Sequence, residues 1–194
     1  MKESKWWVGA LAALVMFLVL NANASAASYK VDPQYTQIVF KIKHIMGQIR
    51  GVFAKFDGEV KLDEADQELK SLTATVEVES IDTHVAERDK DLRSEKFFDT
   101  AKFPQAKFVS KKISKDKIVG ELTMHGVTKE ISLDYTLYGV AMDQRGNTKV
   151  FLSAAGTVNR KDFGITFNTN TDDGKLLLGD DVELAFEVQG ILEK

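Results

Sequence analysis

The chain has 194 residues, 26 Lys and Arg against 29 Asp and Glu for a formal charge of −3, and no cysteine. The missing cysteine excludes disulfides, thiol nucleophiles and thiolate metal sites together. No basic tract is present, which argues against nucleic acid as a partner, so stability rests on a hydrophobic core that a chain of this size can build.

The first 26 residues read as a leader. Lys2 and Lys5 precede an apolar or small run from Trp6 to Leu20, and Ala22-Asn23-Ala24 and Ala24-Ser25-Ala26 follow as small-x-small patterns. This is the layout of a secretory signal peptide, cut after Ala24 or Ala26. The run is shorter than the roughly 20 residues a spanning helix requires. Removing 26 of the 194 residues leaves 168, one domain at 27–194; without Lys2, Lys5 and Glu3 its balance is 24 basic against 28 acidic. An alanine-ending signal with no cysteine to carry lipid fits the bacterial periplasm.

After the leader the dominant period is two. "TQIVFKIKH" sets Ile38, Phe40 and Ile42 against Val39, Lys41 and Lys43, and "SLTATVEVES" sets Leu72, Ala74, Val76 and Val78 against Thr and Glu. "EISLDYTLYGV" and "VELAFEVQGIL" repeat the alternation. Such rows predict half-buried antiparallel strands, and the β-branched and aromatic content agrees. The expected strands are 36–44, 49–61, 71–80, 105–113, 117–124, 128–141, 148–159 and 181–191. Asp57-Gly58 reads as a bulge or a tight turn, and Arg145-Gly146-Asn147 and Asp172-Asp173-Gly174 as hairpin tips. Pro33 and Pro104 stand before the first and fourth strands, where no ladder hydrogen bond is lost.

Between the third and fourth strands, "SIDTHVAERDKDLRSEKFFDT" breaks the alternation. Val85, Asp89 and Leu92 are spaced by four and three, Asp82-Thr83 offers a cap, and Asp89 and Arg93 are an i,i+4 pair. One or two helical turns are expected around 83–98, with Phe97 and Phe98 pinning the end to the core. Eight antiparallel strands form either a sandwich or a closed barrel, and closure removes the edges. A barrel of eight strands is filled by side chains or leaves room for one small ligand. Small members of inward rows, such as Ala74, Ala154 and Gly156, either leave a cavity or admit a neighbour's bulk. If there is a cavity, its expected lining is Ile38, Phe40, Ile42, Phe53, Val76, Leu133, Phe163 and Phe186. That lining favours a long hydrocarbon chain, at about 0.8 kcal/mol per buried CH₂. The alternative is that these residues pack on one another.

The segments "VDPQYTQIVFKIKH", "RGVFAKFDGEV", "SIDTHVAERDKDLRSEKFFDTAKFPQAKF", "GELTMHGVTKEI" and "VNRKDFGI" resemble, in order, the YceI-like family of periplasmic lipid- or polyisoprenoid-binding proteins. The match runs from Tyr29 to Glu193. The resemblance implies an all-β fold, an elongated eight-stranded antiparallel barrel that is lipocalin-like, with the helical insertion. It also implies a long isoprenoid-type chain in the interior (a polyprenyl phosphate, a quinone or a fatty amphiphile), no covalent cofactor, and often a homodimer. A role beside membrane quinones and b-type cytochromes stays open, as does transient membrane contact.

The residues give chemistry little purchase. His44, His84 and His125 lack metal-ligand spacing, so no metal is expected. Ser80, Asp82 and His84 have no nucleophile elbow around them; the simpler reading is a helix cap with a solvated imidazole, so no catalytic residue is assigned. An enzyme acting on an apolar substrate in the same pocket remains the alternative. Arg88, Arg93 and Arg160 are expected to lock the insertion onto carboxylates such as Asp89, Asp99 or Asp162. The sharper option makes His44, Arg50, Arg88 and Arg160 head-group donors at a cavity rim, since an arginine fork suits phosphate or carbonyl oxygens.

Overall fold

The computed structural model describes residues 26–63, 65, 67–170, 174 and 177–193. The leader and its cleavage sites, apart from Ala26, therefore lie outside the described residues, as do Asp172 and Asp173 of the expected last hairpin tip. The strands are β1 (Ala27–Val31), β2 (Gln37–His44), β3 (Gly47–Phe53), β4 (Phe56–Asp63), β5 (Glu68–Glu77), β6 (Ile81–Asp82), β7 (Gln105–Ile113), β8 (Lys117–Met124), β9 (Val127–Met142), β10 (Thr148–Asn159) and β11 (Leu178–Leu192). One α-helix, α1 (Ala86–Arg93), lies between β6 and β7.

Every pairing is antiparallel, in the order β1-β4-β5-β7-β8-β9-β10-β11, and β1 also pairs β11, so eight strands close a barrel. Two of its staves are broken. β11 pairs β2 over Leu178–Glu187 and then β1 over Gly190–Leu192. β3 pairs β2, whereas β4 pairs β1 and β5. The expected strand 49–61 is thus two strands parted at Ala54-Lys55. On its far side β3 has no long partner among the described residues: it meets only the two residues of β6, against which α1 packs.

Other expectations shift locally. β1, which lies ahead of the first expected strand, is a stave. The third strand ends at Glu77, because Val78–Ser80 turns into a 3₁₀ segment. Asp57-Gly58 makes neither bulge nor turn but sits inside β4, where a Cβ on Gly58 would lie 2.6 Å from the Thr73 carbonyl oxygen. The Arg145-Gly146-Asn147 tip forms as read: Asp143 accepts the Arg145 and Asn147 amides at 2.9 Å, and Gly146 adopts φ +80°.

The barrel is not uniform along its axis. A cluster including Tyr29, Val60, Leu62, Leu69, Ile118 and Val150, all 4 % exposed or less, fills one end. Toward the other end, nearer α1, the inward rows line open space.

Candidate functional site

A cavity of about 440 Å³ occupies the α1 end of the barrel, within the size range of ligand pockets. A smaller extension of about 90 Å³ runs deeper and shares Ile38, Val76, Ala106, Leu122, Leu184 and Phe186 with it. The period-two rows explain the lining. β2 turns Ile38, Phe40, Ile42 and His44 inward, and Phe186, Leu184 and Val182 of β11 stand opposite Ile38, Phe40 and Ile42.

Six of the eight expected lining residues, Ile38, Phe40, Ile42, Phe53, Val76 and Phe186, face this cavity. Leu133 borders only the deep extension and belongs to the packed core. Phe163 lines neither space: it is 1 % exposed inside a 3₁₀ turn, Arg160–Phe163, whose carbonyl bonds the His125 ring nitrogen Nδ1 at 3.0 Å. Inward small residues prove to be mixed in role. Ala106 borders the cavity, whereas the space beside Gly51 is taken by the Phe40 ring and that beside Gly156 by Leu133.

The insertion walls one side. Phe98 meets Phe53 edge-on at 6.2 Å and Phe97 meets Phe167 at 5.1 Å, so both phenylalanines anchor the segment as expected. The expected cap does not form. The residue before α1 is Val85 with no side-chain cap; Asp82 instead accepts the His84 amide at 2.7 Å. Asp89, 6 % exposed, turns back onto Thr83, accepting its amide at 2.8 Å and its hydroxyl at 2.5 Å. That geometry takes Asp89 away from Arg93. The Ser80 hydroxyl donates to the Glu77 carbonyl at 2.6 Å, while the His84 imidazole, on an 84 % exposed side chain, faces Asp82. Among the described residues no cluster of three metal-ligating side chains occurs.

The arginines bond mainly to backbone carbonyls; the carboxylates that Arg93 and Arg160 also meet are Glu79 at 3.6 Å and Asp180, not Asp89, Asp99 or Asp162. Arg88 donates through Nε to the Thr83 hydroxyl at 2.7 Å and through Nη2 to the Thr83 carbonyl at 2.8 Å. Arg93 donates to the Glu79 and Ile81 carbonyls at 2.8 and 2.7 Å. Arg160, 4 % exposed, donates to the carbonyls of Gly179, Ile165 and Phe167 at 2.9, 2.7 and 2.8 Å, with Asp180 at 3.4 Å. Most of these carbonyls lie where the ladder is short, broken or absent: Glu79 in a 3₁₀ turn, Thr83 just past the two-residue β6, Ile165 and Phe167 in irregular backbone, and Gly179 in the register break of β11, so they draw on other donors. Burial lowers the Arg160 pKa from its ordinary value, and Asp180 opposes that shift.

His44, Arg88 and Arg160 border the cavity, but Arg50 does not: it is exposed on the barrel's outer face, opposite Lys41. With Arg160 engaged by the carbonyls of Gly179, Ile165 and Phe167, Arg88, whose Nη1 makes no hydrogen bond among the described residues, is the freer donor at the rim. Glu87 and Asp91 stand beside it and also border the cavity.

A model of the YceI-like domain matches residues 29–190. The chain belongs to the YceI-like family. It is 40% identical over 187 residues to a UPF0312 protein of Pectobacterium atrosepticum, covering 93% of this chain and 94% of that one. It is 37% identical over 188 residues to protein YceI of Salmonella newport, covering 93% and 95%. Among solved structures it is similar to the YCEI protein of Campylobacter jejuni, with TM-score 0.68 and 32% identity over 78% of this chain and 90% of that one. A polyisoprenoid binding domain from Saccharophagus degradans shares the fold, with TM-score 0.65 over 87% and 99%, at 12% identity.

Within this YceI-like barrel, sequence reasoning missed two groups of lining residues. Ile49, Leu122, Val182 and Leu184 sit on inward rows and were legible by extending the period-two pattern. Leu92 comes from the short helix α1, and Phe97, Phe98, Ile165 and Phe167 come from irregular segments, where no period says which side a ring takes.

Proposed function

We propose that this chain binds one long apolar chain of isoprenoid or fatty type in the barrel, as a non-catalytic carrier or store in the periplasm. The observation that carries this reading is the 440 Å³ cavity, walled by aliphatic and aromatic side chains and closed off by the packed end of the barrel. Each buried CH₂ contributes about 0.8 kcal/mol, so ten of them supply about 8 kcal/mol against the cost of ordering the ligand. Head-group recognition falls to Arg88 and His44, with a polyprenyl phosphate, a quinone or a fatty amphiphile as the ligand classes. The Saccharophagus degradans domain, named as polyisoprenoid-binding, supports this class through shared fold alone. The leader-like start supports export, and a homodimer is the expected assembly.

The test is organic extraction of protein gently isolated from its native source, read by mass spectrometry. One isoprenoid, quinone or fatty species per protein is expected; extracts without any such species at that ratio would overturn the reading.

A further inference from the structure

The turn between β2 and β3 carries an apolar tip where a polar one is the usual choice. Ile45 and Met46 are 49 % and 96 % exposed. Ile45 holds φ +53°, a left-handed conformation that costs a β-branched residue most and that Gly, Asn or Asp adopt readily. Turn geometry therefore does not explain an isoleucine there. The tip is the outward continuation of the cavity wall: Ile42, His44 and Ile49 on either side line the cavity, and the Ile45 amide donates to the carbonyl of Leu177, another lining residue, at 2.9 Å. Phe167, 36 % exposed and also lining the cavity, has the Lys96 ammonium 5.6 Å above its ring.

Charge singles out the same hairpin. From 33 to 56 there is no Asp or Glu, while Lys41, Lys43, Arg50 and Lys55 fall there, in a chain whose overall charge is −3. Lys41 and Arg50 stand directly opposite each other on the outer face, with Lys43 one step along. None of these three makes an ion pair or side-chain hydrogen bond among the described residues. Across β11 Lys41 also faces Glu183, but Lys43 and Arg50 have no carboxylate opposite them in the register; a like-charge pair across a ladder weakens it, so the worth of this cationic face lies in something outside the barrel.

We infer that the β2–β3 hairpin docks the barrel on an anionic phospholipid bilayer, with Ile45 and Met46 entering the interface and Lys41, Lys43 and Arg50 lying over the head groups. An apolar tip of two side chains with flanking cations is the combination that holds peripheral proteins at such a surface, apolar burial and charge adding together. Docking by this tip sets the cavity opening against the lipid. The inference rests on the chain-binding reading for its purpose, since an apolar chain then passes between bilayer and barrel without crossing water.

The test uses the full mature protein and vesicles of phosphatidylcholine with phosphatidylglycerol in equal parts, read by co-sedimentation. Uptake of a fluorescent fatty acid from aqueous solution, below its micelle concentration, is measured in parallel. Wild type is expected to bind the vesicles, and Met46→Asp to bind them about tenfold less or weaker still. Lys43→Gln is expected to lose about fivefold, the worth of one cation near an anionic surface. Uptake from solution should be unchanged in both, because neither side chain lines the cavity. Equal vesicle binding by wild type and Met46→Asp, or no binding by wild type, overturns the docking inference. Loss of solution uptake in Met46→Asp overturns it too, since the tip would then be part of the pocket. Vesicle binding through the tip without any chain uptake sustains the docking and overturns the carrier reading instead.

Discussion

Replacing Arg160 by lysine separates the two roles that this side chain was given from sequence. The guanidinium reaches three backbone carbonyls on two segments, 165–167 and Gly179, and an ammonium is a single point that cannot span them. At least two of these bonds go unreplaced. Bonds from a charged donor are worth about 1.5 kcal/mol each at the low end, so Arg160→Lys should cost about 3 kcal/mol. For a domain of this size about 2–4 °C accompany each kcal/mol, and the melting temperature should fall by about 6–12 °C. Thermal unfolding by circular dichroism reads this directly, and hydrogen exchange should show the amides of 165–170 losing protection first. A melting temperature within about 2 °C of wild type, together with impaired uptake of an acidic chain, would refute the reasoning: the guanidinium would then serve the ligand rather than the rim.

Val76→Asp and Phe186→Asp each place an unpaired carboxylate against an apolar wall, which is costly; variants shown to be folded by circular dichroism should lose fatty-acid uptake, and retention would mean these rows do not hold the chain. Gly51→Ala sets a methyl 2.3 Å from the Phe40 ring and 2.8 Å from the Thr83 methyl, so the ring must move into the cavity; a loss of about 1–3 kcal/mol in urea unfolding is expected, with weaker uptake of the longest fatty acids in a series. The Asn147 amide and side chain hold the Asp143 carboxyl down at about 2, from an ordinary 3.8. A depressed carboxylate stabilises the fold above its unfolded value and loses that contribution as pH falls from about 4 through about 2. Asp143→Asn should therefore melt lower than wild type at neutral pH, and the gap should close by about pH 2; a constant gap across that window would contradict the turn's dependence on charge.

How much of this was legible follows from where regular periods hold. The strands expected at 105–113, 117–124 and 148–159 match β7, β8 and β10 residue for residue, because alternation with one buried face holds over most of their length despite the register shifts at Ser110–Lys112 and Phe151–Leu152. β1 escaped notice since five residues show only two clear turns of the pattern, and its place depends on pairing with β11, far off in sequence. The break at Ala54-Lys55 has no Gly or Pro to announce it; it exists because β3 and β4 serve different neighbours. Phe163 illustrates a general limit: apolarity foretells that a ring is buried, not whether it borders open space or packs in a turn. The arginine partners were hidden for a related reason. Carboxylates can be read from a sequence, whereas orphan carbonyls belong to irregular backbone and become visible only when the chain is folded.

Among the described residues, the packed plug formed around Tyr29, Leu62 and Ile118 closes one end of the tube and leaves its cavity at the α1 end. On the proposed carrier reading, a bound chain leaves tail last along the path it took in, and two molecules cannot change places inside. Exchange must wait for an empty vessel, and the depth of the stopper sets the longest tail that can be stowed whole; longer ones must leave their remainder outside, beside the helix.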